Sequence, residues 1–289
     1  MAVARQAARS ARSMFTPLRV RAVLDGLTVG FLGLVAWFCI RAIADPSSFI
    51  DANAYYRAAL DDPYRVSALG ALGAYLYSPA FLQVIAPLKV LPAGLFAALV
   101  VCGEATALLV LAGRWTGVVA VAGLAVVYPE LDVANVNFML ALAIVAGFRW
   151  PALWSSVLLT KVTPAVGLLW FVARRDWRSL AVALVATVVV GGVSFVLAPG
   201  LWTSWLRVLA ANGARPSTLV PRLAAAAALI AWAAPRGNRW AVPVAATLGM
   251  PDMYGPAALA MLAGVLPLLA RRGSTGLGAD KMQQVVAAN

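Results

Sequence analysis

Residues 93 to 113 read AGLFAALVVCGEATALLVLAG, a run with one charge, Glu104, set between Pro92 and Arg114. A helix of about twenty apolar residues matches the hydrocarbon thickness of a bilayer, so this stretch predicts a transmembrane helix. Comparable runs recur on both sides of it, separated by one to a few Arg, Pro or Trp residues. The chain of 289 residues is 63% hydrophobic and only 12% charged, with a mean hydropathy of +0.86. A soluble domain carries roughly twice that charge, so a water-soluble globule is excluded and the lipid bilayer is the first partner.

The net charge of +12 does not point to nucleic acid, because the Arg residues sit in short clusters at the ends of apolar runs, where membrane topology uses them. Lys occurs only at 89, 161 and 281, and Arg preference beside abundant Ala suggests a GC-rich bacterial genome. The absence of His removes Ser-His-Asp catalysis, His acid–base chemistry and His-ligated metals. Cys39 and Cys102 fall inside apolar runs and read as small hydrophobes rather than a disulfide. No metal cluster and no cofactor emerge, although Asp51 and Asp132 could share a divalent ion.

Arg5, Arg9, Arg12, Arg19 and Arg21 precede a span over about Val23–Ile43, which places the N-terminus in the cytoplasm. That run is too long for a signal-peptide core, so it reads as an uncleaved span. Residues 45–92 then form an extracytoplasmic loop whose apolar Ser78–Pro92, interrupted by Pro79, Pro87 and Lys89, predicts an interfacial helix. Later segments are expected at about 93–113, 116–128, 138–148, 180–197, 223–234, 240–248 and 254–270, with an external loop over Ala198–Pro221. A single crossing over 151–173 would put Arg174, Arg175 and Arg178 outside. Two half-crossings turning at Lys161-Val162-Thr163-Pro164 restore the rule. The organisation expected is a cytoplasmic tail (1–22), one membrane domain (23–272) and a cytoplasmic, disordered tail (273–289). Almost every acid then lies outside, in 45–92, 129–137 and 251–252.

The external loop holds Asp51-Ala52-Asn53-Ala54-Tyr55-Tyr56-Arg57-Ala58-Ala59, Asp62-Pro63-Tyr64-Arg65 and Tyr75-Leu76-Tyr77-Ser78-Pro79. Downstream come Asn135-Val136-Asn137, Lys161-Val162-Thr163-Pro164, Arg174-Arg175-Asp176-Trp177 and the stretch Trp202–Arg222. In this order the segments resemble the signatures of glycosyltransferase family 87, the polyprenyl-phosphate-mannose-dependent mannosyltransferases. One departure stands out. Where many members carry Pro-x-x-Trp-x-His, this chain has Pro251-Asp252-Met253-Tyr254-Gly255-Pro256.

The resemblance implies an all-α polytopic bundle of GT-C type with about 8–10 membrane segments, in the bacterial plasma membrane with both termini cytoplasmic. It implies transfer of a hexose, mannose first, from a polyprenyl-phosphate donor to an extracytoplasmic glycolipid or glycan. An inverting transferase of this kind needs a carboxylate to accept the acceptor's proton and a cation beside the departing phosphate. Asp51 fits the first role and Lys161 the second, with Arg65 and Arg222 as further phosphate contacts. Tyr55, Tyr56, Tyr64, Asp132, Asn135 and Asn137 are expected near the sugar or acceptor. Each has a plainer alternative: helix capping for Asp51, Asp132, Asn135 and Asn137, snorkelling for Lys161, a solvated surface for the arginines and an interfacial belt for the tyrosines. Glu104, near mid-span, is expected to be hydrogen-bonded between helices and is assigned no catalytic role. The rival function is a non-catalytic lipid-carrier-binding or flippase-like protein, although no internal repeat is evident. The oligomeric state is not legible.

Overall fold

A computed structural model describes residues 17–66, 71, 73–212, 216–251 and 255–269. Arg5, Arg9, Arg12, Asp252, Tyr254 and most of both expected tails lie outside these residues. The described chain is helical and carries no strand, as an all-α polytopic bundle requires. Four stretches are long and apolar enough to cross a membrane: Arg19–Ala44, Ala93–Ala122, Trp177–Leu197 and Pro216–Ala233. A fifth crossing is available if Leu124–Val133 and Asn137–Ala146, bent by 109° at their junction, count as one broken span. Shorter apolar helices fill in around them, at Pro79–Val90, Pro151–Thr160, Thr163–Ala173 and Pro256–Leu269.

The first helix, α1 (Pro17–Ala44), packs along α4 (Ala93–Ala112) at close range because glycine removes the side chain at the contact. A Cβ on Gly94 would come within 2.7 Å of Ile43 Cα. Cys39 lies against Ala98 O, and its Sγ is 3.6 Å from Cys102 Sγ, both thiols free. Close backbone approach at small residues is how helices gain contact in lipid, where burial of apolar surface offers no advantage.

After α4 the chain turns at Gly113–Trp115 into α5 (Thr116–Ala122), and α6 (Leu124–Val133) follows. Gly117 sits on the Leu27–Thr28 backbone, Tyr128 lies 5.2 Å from the Phe38 ring, and Asp132 pairs with Arg41. Residues 117 to 132 therefore run parallel to α1 toward its C-terminal end. Arg41 fixes that end. Its guanidinium holds Asp132 and the Ser48 hydroxyl at 3.1 Å, and it stacks over Phe49 at 4.9 Å, setting the turn into α2 (Ile50–Arg57).

The short helix α3 (Pro79–Ile85) begins as its sequence suggests, with Pro79 in the first turn and the Ser78 hydroxyl accepting from Phe81 N at 3.3 Å. The helix α7 (Asn137–Ala146) follows the bend, and α8 (Trp154–Thr160) and α9 (Leu169–Ala173) flank a 3₁₀ segment, Thr163–Leu168. The break at Lys161–Val162 falls where two half-crossings were expected to turn.

One expectation is corrected. Ala198–Pro221 is not an open loop: α10 (Trp177–Leu197) is followed by α11 (Pro199–Asn212), and α12 (Pro216–Ala233) already includes Pro221. Trp202, Trp205 and Leu209 recur at helical spacing in α11, and Trp205 Nε1 donates to Leu76 O at 3.2 Å, seating α11 on the loop that precedes α3. The last described elements are α13 (Ala241–Leu248) and a 3₁₀ run, Pro256–Gly264, that continues as α-helix over 265–269.

The glycine contacts predict a selective response. Gly117→Val forces a side chain into the Leu27–Thr28 backbone and should destabilise by about 1–3 kcal/mol or more, read as a lower thermal midpoint of the purified protein in detergent. Gly192→Ala, where a Cβ meets nothing within 4 Å, should leave the midpoint in place. An unchanged midpoint for the Gly117 variant would contradict the α1 packing.

Candidate active site

Three interruptions of helix meet at the end of the bundle marked by Arg41 and Asp132. In the first, α8 stops because Lys161 is extended (φ −135°, ψ 106°) and Pro164, lacking an N–H, starts the 3₁₀ turn that follows. The second lies between α6 and α7, where Ala134 takes a left-handed conformation (φ 49°) and the chain bends. The third is the irregular stretch from Ala74 to Ser78, ahead of α3. Together with the first turn of α2 they enclose a cavity of about 620 Å³. Asp51, Tyr77, Asn135, Asn137 and Lys161 supply its polar wall; Val133, Trp205, Val208, Leu219 and Met250 are among the apolar ones.

Hydrogen bonds join the members of the polar wall in two groups. Lys161 Nζ donates to Asn137 Oδ1 at 2.6 Å and lies 5.9 Å from the centre of the Tyr77 ring. The Tyr55 and Tyr77 hydroxyls are 2.9 Å apart and face Asn135 Oδ1 at 3.1 and 3.3 Å, and Val136 N donates to the same oxygen at 2.7 Å. Behind Asn137 stand two fully buried acids, Glu130 and Glu104. The free N–H groups of the first turn of α7 go to them: Asn137 N to Glu130 at 2.8 Å, and Phe138 N and Met139 N to Glu104 at 3.0 Å each. Carboxylates are favoured at a helix N-terminus by its unpaired donors and its dipole. No three of His, Cys, Asp and Glu come together as metal ligands among the described residues.

Asp51 is the second residue of α2 and not its cap; Phe49 holds the cap position and no side chain bonds there. Its carboxyl is partly buried. Burial pushes its pKa above the ordinary aspartate range, and the Lys161 charge pulls in the opposite direction with the smaller effect. Asp51 and Lys161 thus sense each other across the cavity.

The expected site residues divide into three groups. Asp51, Lys161, Asn135 and Asn137 line the cavity, and Tyr55 is buried one hydrogen bond behind the wall. Tyr64, also buried, supports the wall by donating to Tyr77 O at 2.9 Å. Tyr56 turns away to Leu91 O at 3.0 Å, Asp132 is taken up by Arg41, and Arg65 is exposed and lines no part of the cavity. Arg222 braces rather than lines: it donates to Thr218 O, and to Met250 O and Pro251 O at 2.9 and 3.1 Å. The Lys161 ammonium is held by Asn137 at the cavity wall. Sequence reasoning left out Tyr77 and Glu130. Tyr77 stood inside a quoted motif, and Glu130 was marked by being an acid at the margin of an apolar run.

The fold and this cavity define a polytopic helical membrane protein with a cavity that has charged and polar groups on one side and is otherwise lined largely by apolar side chains. Residues 75–283 match the model of glycosyltransferase family 87, and the chain belongs to that family. Membership makes it a membrane glycosyltransferase. The match begins at Tyr75, so Asp51 and the Tyr55–Tyr64 segment lie ahead of the matched residues. No curated protein and no solved structure matches the chain.

Asn135 is the hub of the tyrosine side of the wall: in Asn135→Ala, Tyr55 can still donate to Tyr77, but the Tyr77 hydroxyl and the Val136 N–H lose their acceptor. The variant should lose about 1–3 kcal/mol of stability, measured by thermal or denaturant unfolding in detergent. A wild-type unfolding curve would show that the Tyr77 hydroxyl and the Val136 N–H find other partners.

Proposed function

We propose that this glycosyltransferase transfers a hexose, mannose first, from a polyprenyl-phosphate sugar to an extracytoplasmic glycolipid or glycan, with inversion at the anomeric carbon. The observation that carries the reading is that Asp51 and Lys161, of opposite charge, line one cavity whose other walls are mainly apolar. The acceptor oxygen attacks the anomeric carbon while Asp51 takes the hydroxyl proton. The bond from that carbon to the phosphate oxygen breaks, and the polyprenyl phosphate leaves with the electron pair beside the Lys161 ammonium. The apolar walls suit a prenyl chain, and Tyr77 and Asn135 offer an aromatic face and an amide to the sugar. Family membership and the helical bundle support a GT-C architecture in a bacterial plasma membrane. The charge pattern of the sequence supports cytoplasmic termini.

The test is transfer from radiolabelled polyprenyl-phosphate mannose by purified wild type and Asp51→Asn, with a glycolipid extract as acceptor. General-base catalysis contributes about 10²–10⁴-fold, so the variant should lose at least about a hundredfold in turnover while keeping its thermal midpoint. Undiminished turnover in the variant contradicts the base. Failure of wild type to use or bind any polyprenyl-phosphate sugar contradicts the donor.

The pH profile adds a signed prediction. Asp51 must be ionised to act, so kcat/KM falls as pH drops through a carboxyl pKa raised above the ordinary aspartate value of 3.8. Lys161→Met removes the charge that lowers this pKa. The acid limb of the residual activity should therefore move further up in pH, and a downward or absent shift would mean that the two groups are not coupled.

A further inference from the structure

Glu130 and Glu104 are both fully buried, yet neither lines the cavity and the proposed chemistry uses neither. Buried carboxylates are costly unless hydrogen-bonded, and capping one helix turn does not require two of them. Glu104 accounts for itself by accepting from Phe138 N and Met139 N, and its carboxyl also hydrogen-bonds to that of Glu130, contributing the proton the pair shares. Glu130 does more. Besides Asn137 N at 2.8 Å, it accepts from the side-chain nitrogen of the same residue, Asn137 Nδ2, at 3.1 Å.

The chemistry of the three partners fixes what that second bond does. A carboxylate only accepts, a lysine ammonium only donates, and an asparagine amide does one on each side. With Glu130 on one side and Lys161 on the other, a single amide orientation satisfies both: Nδ2 toward Glu130 and Oδ1 toward Lys161. The second hydrogen of Nδ2 points to Ala257 O at 3.5 Å, consistent with that orientation. Asn137 is thus an adaptor between an acceptor-only group and a donor-only group.

We infer that Glu130 is a positioning residue for this transferase: acting through the Asn137 amide, it holds the Lys161 ammonium at the cavity wall as the contact for the donor phosphate. Its buried negative charge also offsets the cost of keeping that ammonium away from water. The inference rests on the reading of Lys161 as the phosphate contact, and the experiment separates the two.

The experiment exchanges acid and amide between positions 130 and 137. Glu130→Gln alone turns an NH₂ group onto Nδ2, so the Asn137 amide flips and presents a donor to Lys161. Asn137→Asp alone sets two acceptor-only groups face to face. The combined Glu130→Gln/Asn137→Asp protein regains a donor facing an acceptor, leaves an acceptor for Lys161 and keeps the net charge. Binding of farnesyl phosphate to the purified proteins should weaken at least tenfold in each single variant, the effect of losing a hydrogen bond to a charged group. It should return to within about threefold of wild type in the exchange. In a Lys161→Met background, Glu130→Gln should have no further effect.

Single variants that bind like wild type, or a folded exchange protein that binds no better than they do, overturn the inference. If wild type itself does not bind farnesyl phosphate, the phosphate reading of Lys161 fails. Glu130 is then judged from unliganded thermal midpoints, which should fall in the single variants and recover in the exchange, and lack of recovery overturns the positioning role. Should a single variant fail to fold, a folded exchange protein supports the adaptor and an unfolded one overturns it.

Discussion

A lysine ammonium inside an apolar bundle must find an acceptor, and the structure is arranged around how Lys161 finds one. Placing a charge at the centre of a membrane helix costs about 2.5–3.5 kcal/mol on insertion scales. Here Lys161 sits at a helix break, bonded to Asn137, which is bonded in turn to Glu130. The bend between α6 and α7 is part of the same solution, because it turns the first N–H groups of α7 onto Glu130 and Glu104 and delivers Asn137 to the cavity. Irregular backbone within a membrane protein is tolerated where it is buried in protein or lines a cavity, and the three interruptions that form this site meet that condition.

A second anchoring system operates at the same end of the bundle. Arg41 joins α1 to Asp132 at the end of α6 and to the turn that leads into α2. Asp51 reaches the cavity because that turn is held, while Lys161 reaches it because α8 ends. Two charged groups from segments 110 positions apart in sequence therefore face one space through separate supports. The apolar walls from α6, α11 and α12 make that space suitable for a lipid-linked molecule whose polar head lies between Asp51 and Lys161.

Much of this was legible in the residues. Long apolar runs specify spans directly, and the parity of Arg174, Arg175 and Arg178 required a reversal near Lys161, where the helix does break. The family resemblance singled out Asp51, Asn135, Asn137 and Lys161 among other residues, and the cavity collects these four. Other features depend on contacts that no local pattern encodes. Asp132 and Arg222 look like ligand-binding charges in sequence, but Arg41 and the carbonyls of Met250 and Pro251 occupy them. Residues 198–221 read as an external loop, whereas Pro199 and Pro216 begin α11 and α12 and Pro221 lies inside α12. The role of Glu130 required knowing that the start of α7 bends back onto it.

The central claim is that one cavity holds the donor's sugar between Asp51 and Lys161, with its phosphate at Lys161. Its most direct test is photo-crosslinking with a polyprenyl phosphate that carries a diazirine on the carbon next to the phosphate, followed by peptide mapping of the adduct. The account predicts adducts within residues 74–77 and 160–163, suppressed in Lys161→Met. Efficient adducts on the exposed apolar surface of α10, with none at the cavity and no dependence on Lys161, would contradict it.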